Sequence, residues 1–165
     1  MQNFQRIRWF ILLVLLQVLV LNYVHINQYA TPLFYIYFIL KFNSDIGRKS
    51  LMLWAFAIGL CVDIFSNTPG INAAASVLLA FCRPLLLRNQ LLRGMSDIFE
   101  PGISAMGVHS FLRYTFTGVF IHVTTVNILD AFSFIHLKPL LLSIVTDTAM
   151  TLFCIMCVDT IGRKK

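Results

Sequence analysis

The chain has 165 residues, of which 58% are hydrophobic and only 12% charged, where soluble domains carry roughly a quarter charged. That composition is wrong for a water-soluble globular protein, and the length allows one domain. The net charge is +6, from 13 Lys and Arg against 7 Asp and Glu, yet the basic residues sit between apolar runs instead of forming one stripe, which points to membrane topology and away from nucleic acid.

In chain order, apolar stretches run over 7–25, 32–43, 50–65, 71–87, 104–126 and 138–158. They predict an all-α integral membrane bundle of about six transmembrane helices in a single domain, 1–165. Arg6 and Arg8 precede the first stretch as in a signal peptide, but no small-x-small cleavage site follows, so an uncleaved first span is expected. The second stretch is short for a crossing of roughly 30 Å, and Thr31 and Pro32 mark its start.

Charge counting favours a crossing there all the same. With six spans Arg6, Arg8, Lys41, Arg48, Lys49, Arg83, Arg88, Arg93, Arg163, Lys164 and Lys165 fall on one side, eleven against Lys138 alone, which is expected to place both termini of a multi-pass membrane protein in the cytoplasm. Between Arg83 and Ile103 the pattern R-P-L-L-L-R-N-Q-L-L-R is expected to leave the helix at Pro84 and lie in the headgroup layer, with Arg83, Arg88 and Arg93 toward anionic lipid.

Four ionisable groups fall at membrane depth: Asp63, Arg113, His122 and Asp147. Such groups cost several kcal/mol in hydrocarbon and usually pair inside the bundle. Arg113 and Asp147 are expected at matched depth on adjacent helices, within a seam of His109, Arg113 and Thr117 facing Ser143, Asp147 and Thr151. His122 is nine residues from Arg113 and points the other way. Asp63 leads into Ser66, Asn67, Thr68, Pro69 and Gly70, a tight turn by composition, after which Asn72 can cap the next helix and Ala73, Ala74, Ala75, Ser76 and Ala80 give it a surface for close contact. Asp63 is expected to accept hydrogen bonds from the turn or from His122. The four cysteines, including the C-x-x-C of Cys154 and Cys157, lie in apolar runs and read as packing residues; no metal or cofactor is called for.

The segment G-L-C-V-D-I-F-S-N-T-P-G-I-N-A-A-A, from Gly59 to Ala75, resembles the helix-turn-helix of the MreD family of bacterial rod shape-determining membrane proteins, with Gly59, Asp63, Ser66, Gly70 and Ala73 fitting the pattern. The small six-span layout with basic inner loops is similar too. The resemblance implies a non-enzymatic component of the cell-elongation machinery that supports peptidoglycan synthesis, working with the bitopic MreC, the MreB filament, and a RodA-type glycosyltransferase with its transpeptidase. It also implies a fold similar to the substrate-binding subunits of energy-coupling-factor vitamin transporters, which are the competing function. Such a subunit would carry a ligand pocket near the outer face, lined by Asp63, His122, Tyr29 and Tyr35. No motif of a known intramembrane enzyme is present.

Overall fold

The computed structural model describes residues 2–21, 32–90, 98–131 and 137–162. Within them the chain forms α1 (Gln2–Leu19), α2 (Ile36–Leu40), α3 (Arg48–Ser66), α4 (Ile71–Gln90), α5 (Ile103–Met106), α6 (Val108–Ala131) and α7 (Leu137–Gly162), with no strand among the described residues. Three helices, Arg48–Ser66, Ile71–Asn89 and Lys138–Gly162, are long and apolar enough to cross a membrane. Large apolar side chains such as Leu53, Ile64, Phe153 and Ile161 are exposed on these helices, a surface that suits lipid and not water.

Local chemistry sets the helix ends. α3 stops where Asn67 turns left-handed (φ 55°) and bonds its N–H back to the Asp63 carbonyl. Gly70, at φ 83°, then sends the chain into α4, as the composition of the turn requires. α3 and α4 pack as a tight hairpin, α4 lies against α6, α6 against α7, and α1 against α3. The hairpin is closest at Gly59, where a Cβ would fall 2.6 Å from the Ala73 Cα and 2.7 Å from the Asn72 carbonyl oxygen. A small residue on each side lets the two backbones touch.

Residues 32–40 are all buried, and only 36–40 of them are helical. Five helical residues rise about 7.5 Å, so α2 is much shorter than the stretch 32–43 that hydropathy marked. The segment runs from the level of Gln17 on α1, where Pro32 and Phe34 are held, back to that of Arg6, whose guanidinium lies over the Phe42 ring. Eleven residues of α1 separate the two levels, about 16 Å.

Other bounds differ from expectation as well: α1 begins at Gln2 and ends at Leu19, ahead of the stretch 7–25 at both ends. α4 continues through Pro84 to Gln90, because proline within a helix removes one backbone hydrogen bond without having to end it. The stretch 104–126 divides at Gly107 (φ 76°) into α5 and α6, and α6 extends to Ala131.

Gly59→Ala should force α3 and α4 apart and cost about 1–3 kcal/mol, read as a lower melting temperature of the purified protein in detergent. Gly47→Ala, with nothing within 4 Å of its added Cβ, should melt like the parent. Equal melting of the two variants would contradict the close approach.

Candidate functional site

Polar side chains concentrate at the two ends of the bundle, and each group is tied to the buried segment 32–42. At the α3–α4 turn the Asp63 carboxylate accepts four hydrogen bonds. Its Oδ1 takes the Thr68 hydroxyl at 2.9 Å, the Asn72 N–H at 2.9 Å and Asn72 Nδ2 at 3.0 Å, and its Oδ2 takes the Ala73 N–H at 2.9 Å. Asp63 thus closes the turn and caps α4, where its negative charge meets the positive end of the helix dipole. Sequence reasoning gave the cap to Asn72. The structure puts Asn72 inside the first turn of α4, because a carboxylate folding back from the preceding helix supplies two acceptor oxygens to one amide oxygen.

The network continues inward. Asn72 Nδ2 also donates to the Thr68 hydroxyl at 3.0 Å, so its amide oxygen faces Tyr35, whose hydroxyl donates to it at 2.9 Å. The phenol has one proton, so His122 Nε2, 3.0 Å from the same oxygen, is the donor in that contact. Ser76 lies 3.4 Å from Nε2, but a nitrogen that carries the proton is not poised to take one from a serine. Asp63 and His122 are therefore linked through Asn72 and Tyr35 and not directly. Ser66 forms the last residue of α3, while Tyr29 lies outside the described residues.

The opposite end is built on Arg83 and Asp159, neither of which the sequence singled out as buried. Arg83 is 1% exposed, with Nε donating to the Tyr114 hydroxyl at 3.0 Å and Nη2 to the carbonyls of Leu40 and Phe42. The Tyr114 hydroxyl donates to the Leu40 carbonyl as well, at 3.0 Å. This corrects the lipid-facing assignment of Arg83: α4 persists past Pro84 and keeps Arg83 on its inner face, where a planar fork can serve several oxygens at once. Arg88 is exposed as expected, and Arg93 lies outside the described residues.

Asp159 on α7 accepts from Lys41 Nζ at 2.7 Å, the Tyr37 hydroxyl at 3.0 Å and the Ile103 N–H at 2.7 Å. Its signal was in the sequence, since Asp147, Thr151, Ile155 and Asp159 repeat every four residues along one buried face of α7. Contacts of Arg6 with Phe42, Arg48 with Phe81, Arg83 with Phe42 and Lys41 with Asp159 gather basic residues from four elements at this end.

The predicted Arg113–Asp147 pair does not form. Asp147 accepts from Asn127 Nδ2 at 3.1 Å, and Arg113 lies fourteen residues, about 21 Å, along α6 from Asn127. Arg113 and His109 are exposed, and the inner face of α6 is Phe111, Tyr114, Thr115, Gly118, Val119, His122 and Val123. The physical reason is the helix start: with α6 beginning at Val108, Arg113 is only about 8 Å along it, near enough for a long side chain to reach the interface.

Between α1 and the segment 37–43 at the basic end lies a cleft of about 300 Å³, lined by residues that include Arg6, Trp9, Lys41 and Glu100. Among the described residues no three of His, Cys, Asp and Glu come together as a metal would need. The chain matches no protein-family model, no curated protein and no solved structure.

Asp63→Asn exchanges one acceptor oxygen for a donor facing N–H groups, and Arg83→Lys keeps the charge but loses the fork. Each should cost about 1.5–3 kcal/mol, seen as reduced thermal stability of the detergent-purified protein. Arg88→Lys and Arg113→Gln should change it by less than about 0.5 kcal/mol, and Arg113→Gln should add independently to Asp147→Asn. A non-additive cycle would restore the discarded pair.

Proposed function

We propose that this chain is a non-enzymatic, six-span component of the bacterial cell-elongation complex, of the MreD kind, held in the cytoplasmic membrane with both termini inside. The observation that carries the reading is the chemistry of the segment 59–75, the same residues that bear the resemblance. Gly59 and Ala73 make the closest helix approach, Asp63 closes and caps the turn, Thr68 bonds to Asp63, and Gly70 takes the positive φ. A motif in which Gly59, Asp63, Gly70 and Ala73 each have a job in one closely packed hairpin suits a platform for other membrane proteins.

The gathering of basic residues at one end of the bundle supports the six-span topology, with the α3–α4 turn outside. Within the membrane the available surfaces are helix faces, such as Leu141, Leu142, Val145 and Phe153 on α7, which suit an MreC-like bitopic protein or a RodA-type glycosyltransferase with its transpeptidase. The competing vitamin-transporter reading asks Asp63, Tyr35 and His122 to serve a ligand, whereas their polar atoms largely serve one another.

Expression of the tagged chain in a rod-shaped bacterium depleted of its own MreD-type protein tests the proposal. Rod-shaped growth should return, and an MreC-like partner should be recovered with the chain. Spherical cells despite normal insertion would refute it, and recovery of a transporter ATPase with restored vitamin uptake would establish the alternative.

A further inference from the structure

The cleft at the basic end belongs to neither the outer hairpin nor the helix faces discussed above. Arg6, Trp9 and Leu13 line one side of it at the i, i+3 and i+7 positions of α1, so they share a helix face. Seven residues of helix, about 10 Å, separate the charged mouth at Arg6 from the apolar wall at Leu13. Phe38 and Phe42 continue that wall, and Glu100 lines the cleft together with the two cations. A polar mouth over an apolar slot, with a tryptophan between Arg6 and Leu13 on the same helix face, is the profile of a lipid headgroup with the beginning of its acyl chains.

Charge decides which lipid. Lys41 is already committed to Asp159 at 2.7 Å, and that pair is neutral. Glu100 is 3.8 Å from Lys41 with its side chain 59% exposed, and no carboxylate lies within 4 Å of Arg6 among the described residues. Arg6, which rests on the Phe42 ring but has no carboxylate partner among the described residues, and Glu100, at the edge of the reach of a lysine that Asp159 holds more closely, thus face the cleft as one cation and one anion with no net charge between them. We propose that this cleft binds a zwitterionic phospholipid, its phosphate against Arg6 and its ammonium toward Glu100. A net-anionic lipid would satisfy Arg6 but meet repulsion at Glu100.

Trp9 is the reporter. The full-length protein in nanodiscs of unbrominated lipid is titrated with phosphatidylethanolamine or phosphatidylglycerol carrying the same brominated acyl chains, and tryptophan quenching is followed, with Trp9→Phe giving the background from Trp54. Phosphatidylethanolamine should quench saturably at several-fold lower mole fraction than phosphatidylglycerol. Arg6→Gln should weaken binding of both lipids at least fivefold, while Glu100→Gln, a substitution at an exposed side chain, should abolish the preference between them. Quenching that rises in proportion to lipid content, alike for both headgroups and unchanged in both variants, would mean bulk contact only and overturn the proposal. Protection from quenching by millimolar soluble phosphoethanolamine would assign the cleft to a soluble phosphate ester and overturn it equally.

Discussion

The rest of the structure depends on one constraint: the segment 32–42 is buried, it is mostly not helical, and its backbone polar groups have to be bonded by something other than a helix. Unpaired N–H and C=O groups in a dry interior cost several kcal/mol each, which is why irregular backbone at membrane depth is tolerated only inside protein. Here four helices supply the partners. Gln17 on α1 accepts from the N–H groups of Phe34 and Tyr35 and donates to the Pro32 carbonyl. Thr151 on α7 accepts from the Leu33 N–H, while Arg83 on α4 and Tyr114 on α6 take the Leu40 carbonyl.

Those obligations explain why polar residues occur where they do in so apolar a chain. Arg83 and Asp159 would be costly as isolated charges, yet each satisfies several groups of the inner segment or the helix beside it, so they hold the bundle around the segment. The outer network does the same through Tyr35, which ties the segment to Asn72 and so to the hairpin. Helix positions are thereby fixed at both ends, leaving the outer helix faces apolar and preformed.

Much of this was legible in the sequence, for reasons that differ by residue. Three of the apolar stretches, 50–65, 71–87 and 138–158, are long helices near those bounds, because hydropathy and length carry that information directly. The turn at 67–70 was legible because Asn and Gly at those positions have conformational consequences of their own. Asp63 as an acceptor for the turn was legible for the same local reason.

What was not legible depended on long-range geometry. Arg113 and Asp147 looked paired because a depth was assigned from apolar runs, but α6 starts at Val108 and Asp147 is bonded to Asn127, about 21 Å along α6 from Arg113. Arg83 looked lipid-facing because Pro84 read as a helix end. The short α2 and its side-chain partners could not be read at all: Gln17 lies 15 to 18 residues from Pro32, Phe34 and Tyr35, and Thr151 lies 118 residues from Leu33, and no local pattern records such pairings. Hydrogen–deuterium exchange of peptides covering 33–42 tests the central claim most directly, in the parent and in Gln17→Leu. Protection comparable to that of α3 and α4 in the parent, lost in the variant at the amides of Phe34 and Tyr35 while α3 and α4 stay protected, is the predicted result; exchange in the parent as fast as that of an unstructured peptide would contradict it.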